Sequence, residues 1–439
     1  MTDTRSVQFH VEPGGRLQGE LRVPGDKSIS HRSIMLGSLA EGVTEVSGFL
    51  EGEDSLATLA AFRAMGVAIE GPAAGRVTIQ GAGMHGLRRP AEALDLGNSG
   101  TSMRLMAGLL AGQAFDATLT GDASLSGRPM RRVVNPLGEM GASIGTTEAG
   151  TAPLLIRGGA DLHGIDYVLP VASAQVKSSV LLAGLYASGR TCVTEPAPTR
   201  DHTERMLAGM GYPLERQHSR VCLEGGHALQ AIIIDIPADI SSTAFFLVGA
   251  SIAPGSDLLL AHVGMNPTRT GVIDILRLMG ADIEVVNPHE AGGEPVADLR
   301  VRSAGLKGID IPPELVPLAI DEFPVLFVAA ACAEGRTVLT GAEELRVKES
   351  DRIQVMADGL VELGIDAQAT PDGMVIEGGT LRGGAIDSHG DHRIAMAFAM
   401  SALRASGRID IRDCANVNTS FPGFVDLAAR AGLQISASS

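Results

Sequence analysis

Apolar runs of helical length alternate along the chain with short segments rich in β-branched residues, and glycines punctuate the two in a recurring order. Each cycle reads as a polar cluster, an apolar stretch, a glycine stop, a strand-like segment, a polar loop and a second helix that again ends at glycine. The first helix of each cycle stops at Gly42, Gly112, Gly189, Gly255, Gly335 and Gly407. Left-handed backbone is expected at these stops, because glycine adopts positive φ without a Cβ penalty. The segments that follow include VTEVSGFL, RTCVTEP, RTVLTGA and RIDIRDC, partly alternating as strands should be. The second helices stop at Gly66, Gly141, Gly211, Gly280, Gly364 and Gly432. Helix–glycine–strand punctuation is common in any α/β protein. Its persistence in one order through the whole chain instead predicts six repeats of roughly 70 residues, three to a lobe.

The polar segments ahead of the first helices are DKSISHRS, GNSGTSMR, ASAQVKSS, ADISSTAF, AIDEFPV and HGDHRIAM. A helix N-terminus carries unpaired N–H groups and the positive end of the dipole, so convergent ends suit phosphates and carboxylates. These segments hold Lys27, Ser28, Arg32, Asn98 to Thr101 with Gly100 among them, Ser173, Gln175, Asp321, Asp391, His392 and Arg393. The loops before the second helices add Arg128, Arg200, Lys348, Glu349 and Arg352. Cations that recur at such positions, with a few carboxylates among them, point to a multiply charged anionic ligand and to proton transfer.

Singly, each of these signals has a plainer reading. GDKS lacks the glycines and the Gly-Lys pair of a phosphate-binding P-loop. RVKESDR reads as a solvated charge run, His392 as a hydrogen-bonded structural residue, and the serines from Ser28 to Ser33 as helix caps.

Composition narrows the field without deciding it. The 439 residues exceed one ordinary core, and 45% hydrophobic against 20% charged residues is a globular balance. Aromatics make up 3% and Trp is absent, so Ala, Leu, Ile, Val and Met must build the core. A net charge of −16 argues against a nucleic-acid or anionic-membrane surface, though local cations still suit a small anion. Cys192, Cys222, Cys332 and Cys414 show no metal-ligand spacing, and free, buried thiols in a reducing compartment are expected. MTDTRSVQFHVEPGG lacks the apolar core of a signal peptide, and FPVLFVAAACA is too short to span a bilayer. The expectation is a cytoplasmic protein.

VPGDKSISHRS, LGNSGTSMR, SGRPM, SAQVKSS, RVKESDR, GDHRIAM and TSFPGF, in this order and at these separations, resemble the motifs of the 5-enolpyruvylshikimate-3-phosphate synthase family from about Val23 to Phe424. The resemblance implies the enolpyruvyl transferase fold, an α/β (α+β) inside-out barrel of two similar lobes, each with three copies of a βαβαββ-type unit. It implies an N-terminal lobe at 21–237 and a C-terminal lobe made of 238–439 together with 1–20. It implies transfer of the enolpyruvyl group of phosphoenolpyruvate to the 5-hydroxyl of shikimate 3-phosphate, without cofactor or metal, in the shikimate pathway that glyphosate blocks.

Residue by residue, the resemblance places Lys27, Ser28, Arg32, Ser173, Gln175, Arg200, Asp321 and Lys348 at shikimate 3-phosphate. Lys27, Gly100, Arg128, Gln175, Arg352 and Arg393 fall at phosphoenolpyruvate, with Asp391 in support. Lys27, Asp321 and Glu349 are the candidates for proton transfer. Thr419 stands where some members carry a phosphate-contacting Lys, and Ala174 follows Ser173 where some have a second Ser; Arg200 is expected to compensate. The alternatives are a UDP-N-acetylglucosamine enolpyruvyl transferase, whose reactive Cys has no counterpart between Met1 and Thr191, and a non-catalytic anion-binding repeat protein. A monomer is expected, since the proposed chemistry calls for no partner subunit.

Overall fold

Each of the six cycles folds as a pair of helices with a small sheet. The computed structural model describes residues 7–439. It divides into two compact units: Gly25–Ile236 with Ala291–Glu294, here the N-terminal unit, and the remainder, the C-terminal unit. The N-terminal unit contains α1 (Lys27–Leu39), α2 (Glu53–Ala64), α3 (Gly100–Ala111), α4 (Arg131–Glu139), α5 (Ala174–Gly184) and α6 (His202–Gly209). The C-terminal unit contains α7 (Ile240–Ile252), α8 (Gly271–Leu278), α9 (Phe323–Ala331), α10 (Arg352–Glu362), α11 (His392–Ser401) and α12 (Phe424–Ala431). Odd-numbered helices are the first of each cycle and even-numbered helices the second.

The sheets repeat one wiring. In the N-terminal unit, the strand after each first helix lies between a parallel and an antiparallel neighbour. Val43–Ser47 pairs with Ile233–Asp235 and Arg76–Gln80, Ala117–Thr120 with Leu94–Asp95 and Leu154–Ile156, and Arg190–Thr194 with Asp166–Val168 and Arg220–Glu224. The parallel partner of the first sheet comes from the unit's last strand, so the three repeats close on themselves.

The C-terminal unit borrows from the start of the chain to complete the same pattern. Gln18–Leu21 runs parallel to Asp257–Gly264. Gln8–Gly15 lies between Ile409–Arg412 and Leu433–Ser438, antiparallel to both. Residues 8–21 thus supply strands to this unit, while residues 1–6 of the expected amino-terminal crossing lie outside the described residues.

Each unit has its own apolar core, and the first helices form its centre. Every residue of α7 and of α9 is buried, which suits helices that are apolar on all faces. α7, α9 and α11 pack on one another, and α3 packs on α1 and α5. The contact between α3 and α5 depends on Gly108: a Cβ there would lie 2.0 Å from the Ser179 carbonyl oxygen.

Two features depart from the sequence reading. All six glycines after second helices have positive φ, but Gly112 and Gly407 after first helices do not. Close packing fixes these two instead. Tyr186 lies 2.3 Å from where a Gly112 Cβ would sit, and Gly407 faces the Gly383 backbone at 3.2 Å. The second departure concerns the cysteines. Cys192 and Cys222 form a disulfide, because the antiparallel register sets them directly opposite with Cα atoms 4.1 Å apart. Cys332 and Cys414 are free, and burial pushes both thiols up to about 12. Among the described residues no helix is long and apolar enough to cross a membrane.

Gly108→Ala forces α3 and α5 apart where Gly108 meets Ser179. Urea unfolding is expected to show a loss of about 1–3 kcal/mol, the usual cost of overpacking a core. An unchanged midpoint contradicts the contact.

Candidate active site

The sequence DKSISHRS starts α1 by a carboxylate cap rather than by its serines. Asp26 accepts a hydrogen bond from the Ile29 amide at 2.9 Å, and the Ser30 hydroxyl donates to the Asp26 carbonyl at 2.8 Å. Lys27 opens the helix with its ammonium 3.0 Å from Asp54. One turn on, Arg32 is buried. It donates to Thr203 Oγ1 at 2.7 Å, to Ser178 Oγ at 2.9 Å and to the Ser28 carbonyl at 2.9 Å, so it joins α1 to α5 and α6. These acceptors are neutral and leave the positive charge in place. Burial lowers the Arg32 pKa to about 10, Glu204 and Asp26 oppose the shift, and Arg200 adds to it. The guanidinium stays charged at neutral pH. Two neighbouring cations that repel each other in a low-dielectric setting gain from an anion placed beside them.

α3 and α5 bring the next group together. Ser99 caps α3 and Ser173 caps α5, each accepting from the amide three residues on. Gln175 donates to Thr101 Oγ1 at 3.0 Å and accepts from Arg104. Arg128 donates to Asn98 Oδ1 at 2.6 Å. Gly100 leaves an opening between two guanidiniums: a Cβ there would lie 3.1 Å from Arg128 Nη1 and 3.5 Å from Arg104 Nη1. Arg104 escaped the sequence reading because it sits inside an apolar helix, where an isolated charge carries no periodic signal. Its place one turn after Gly100 in LGNSGTSMR was the available clue.

Beneath these groups, His31 ties the helix starts together. Its Nδ1 is 2.8 Å from Thr58 Oγ1 and 3.2 Å from Ser102 Oγ, and Ser102 in turn meets Ser99 at 2.7 Å. Burial, then the charges of Lys27 and Arg32, lower the His31 pKa to about 3. The ring is therefore neutral and structural at physiological pH.

In the C-terminal unit the centre is Arg352, whose side chain is 1% exposed, unlike the solvated run that RVKESDR suggests when taken alone. It donates to Asp391 at 2.8 and 3.3 Å and to Glu349 at 2.6 Å, and lies 3.5 Å from Asp321. Asp391 also caps α11, accepting from the Arg393 amide at 2.9 Å and the Ser350 hydroxyl at 3.1 Å. Asp321 faces two further cations: Lys348 at 3.6 Å and Arg393 at 3.9 Å, the latter also donating to the Asp321 carbonyl at 3.1 Å. The surrounding carboxylates raise the Arg352 pKa against the effect of burial, the largest single influence.

The structure therefore brings together Asp321, Lys348, Glu349, Arg352, Asp391 and Arg393. His392 is structural, buried with Nε2 3.2 Å from Ser420 Oγ. Thr419 donates to the Asn416 carbonyl at 2.7 Å and offers no cation. Among the described residues no group of His, Cys, Asp and Glu is placed to hold a metal ion.

Comparison with known proteins gives the geometry a context. Residues 11–427 match the family model for EPSP synthase (3-phosphoshikimate 1-carboxyvinyltransferase). The chain is 72% identical over 434 residues to a 3-phosphoshikimate 1-carboxyvinyltransferase of Methylococcus capsulatus, covering 99% of each sequence. It is 73% identical to one of Alkalilimnicola ehrlichii, covering 98% of this chain and 96% of the relative. The EPSP synthase structure from Acinetobacter baumannii superposes with a TM-score of 0.90 at 60% identity, covering 99% of this chain and 100% of the other.

His31 gives this region a measurable acid sensitivity. The folded protein keeps the ring neutral down to about pH 3, whereas an unfolded chain protonates it near 6.5. Its contribution is complete above pH 6.5 and declines as pH falls toward 3. In His31→Gln, the slope of unfolding free energy against pH over this window is expected to be shallower by up to about 1.4 kcal/mol per pH unit. Chemical denaturation at pH 7, 6 and 5 measures it. Equal slopes in both proteins would show that the ring is not held neutral.

Proposed function

The chain belongs to the EPSP synthase (3-phosphoshikimate 1-carboxyvinyltransferase) family, and on that premise we propose how its side chains divide the work of the reaction. It transfers the enolpyruvyl group of phosphoenolpyruvate to the 5-hydroxyl of shikimate 3-phosphate and releases phosphate. The alkene methylene must gain a proton, which leaves positive character on C2. The hydroxyl must lose a proton as it attacks that carbon. The tetrahedral adduct then loses phosphate and a methyl proton. Positioned acids, bases and cations suffice for this sequence.

In this reading Lys27, Ser28, Arg32, Ser173, Gln175 and Arg200 bind shikimate 3-phosphate, with Arg32 and Ser28 serving its carboxylate and Ser173 and Arg200 its phosphate. Lys348 adds a charge for that phosphate. Support comes from Arg32, which keeps its charge uncompensated by any direct carboxylate contact among its three hydrogen bonds. Lys27, Gly100, Arg128 and Gln175 bind phosphoenolpyruvate, and Arg352 and Arg393 take its carboxylate while Asp391 holds Arg352 in place. Asp321 removes the proton of the attacking hydroxyl, and Lys27 and Glu349 serve the remaining proton transfers.

The observation that carries this assignment is the setting of Asp321, a carboxylate faced by Lys348, Arg352 and Arg393 within 3.9 Å. Such surroundings hold the carboxylate in one orientation, as proton removal from a placed hydroxyl requires. We further propose a cytoplasmic monomer, in keeping with phosphorylated substrates that do not cross membranes unaided.

Two substitutions test the division of roles. Asp321→Asn is expected to lower kcat about 100- to 10,000-fold, with both KM values within about threefold. A large rise in either KM with kcat retained would make Asp321 a binding residue instead. Gly100→Ala adds a methyl 3.1 Å from Arg128 Nη1. One methyl in a fitted pocket is worth about 1–3 kcal/mol, so inhibition by glyphosate is expected to weaken more than tenfold while the KM for phosphoenolpyruvate rises less. Equal inhibition of both proteins removes the steric argument.

A further inference from the structure

Two buried cations of the N-terminal unit, Arg104 and Lys177, have no part in the mechanism, and the second is held by carboxylates. Lys177, one turn into α5, has a side chain only 2% exposed. Its ammonium meets Glu204 of α6 at 2.8 Å, Glu195 at 3.0 Å and the Thr199 carbonyl at 3.5 Å. The Thr199 hydroxyl donates to the same Glu195 oxygen at 2.6 Å. Lys177 thus grips the segment that runs from the end of strand Arg190–Thr194 to the start of α6, at residues on both sides of it and at the position immediately before Arg200.

The neighbouring residues extend the same lock. Ser178 and Thr203, each next in sequence to one of these partners, bond to one another at 2.8 Å and together hold the Arg32 guanidinium. Burying an ammonium with two carboxylates carries a large desolvation cost, offset only when the geometry is good and the remaining hydrogen bonds are made. Here two carboxylates from different segments meet one buried ammonium, which ties those segments to α5.

We propose that Lys177 is a positioning residue for shikimate 3-phosphate: it acts through Glu195, Glu204 and the Thr199 carbonyl to hold the 195–201 segment so that Arg200 meets the phosphate. The proposal rests on the reading of Arg200 as a phosphate contact. Lys177 itself is buried among protein groups, so its effect reaches the substrate only through the residues it holds.

Lys177→Met by itself strands two buried carboxylates and is expected to fold poorly. The informative protein is Lys177→Met/Glu195→Gln/Glu204→Gln, which is neutral at all three positions, compared with wild type and with Arg200→Ala. In the ligand-free triple variant, hydrogen exchange of the Ala197, Thr199, Arg200 and Asp201 amides should accelerate at least about tenfold, while amides of α3 keep their rates. The KM for shikimate 3-phosphate should rise about tenfold, with kcat and the KM for phosphoenolpyruvate within about twofold. A merely structural role would lower the unfolding midpoint and leave both KM values alone.

Unchanged exchange in the folded triple variant overturns the proposal. So does an unchanged KM for shikimate 3-phosphate where Arg200→Ala raises it. If Arg200→Ala leaves that KM unaltered, the phosphate reading of Arg200 fails by itself, and the exchange rates still decide whether Lys177 holds the segment.

Discussion

The ion pair between Arg352 and Asp391 is the constraint on which the C-terminal set depends. Arg352 is the first residue of α10 and Asp391 is the cap of α11, so a single carboxylate fixes two helix starts at once. Taking a guanidinium to 1% exposure costs several kcal/mol unless its donors are satisfied. Asp391 and Glu349 satisfy them, and Asp321 completes the surroundings. Once Arg352 is fixed in this way, the orientations of Glu349 and Asp321 follow from it. These are two of the three groups assigned to proton transfer.

The N-terminal unit treats its buried guanidinium differently. Arg32 is held by two hydroxyls and a carbonyl, so its hydrogen bonds are made but its charge is not cancelled by contact. Arg200 adds to the local positive field. Neutral acceptors leave the Arg32 charge without a counter-charge in contact, whereas carboxylate acceptors set Arg352 among fixed acidic groups. The chemical difference between the two units is therefore a choice of hydrogen-bond acceptor around an arginine. The repeated fold makes this choice possible, because a similar helix start occurs in every cycle with different residues around it.

Much of the fold was legible because its signals are local. Helical runs, β-branched segments and glycine stops can each be read within about ten residues, and all twelve helices of the six cycles occur in the expected order. What could not be read is non-local. Gly112 and Gly407 are required by Tyr186 and Gly383, which are far from them in sequence. Cys192 and Cys222 meet only because strand register aligns them. Arg104 and Lys177 sit in apolar helices where no pattern marks a charge, and their partners come from other segments. The charge run RVKESDR looked solvated because the carboxylates that bury Arg352 include Asp321 and Asp391, which are distant in the chain.

Enolpyruvyl transfer with shikimate 3-phosphate as acceptor can be measured directly. Phosphate release is followed with phosphoenolpyruvate and one acceptor at a time. Stoichiometric release is expected with shikimate 3-phosphate, with a product heavier than the acceptor by the enolpyruvyl group, and no release with UDP-N-acetylglucosamine. Release with UDP-N-acetylglucosamine and none with shikimate 3-phosphate would contradict it.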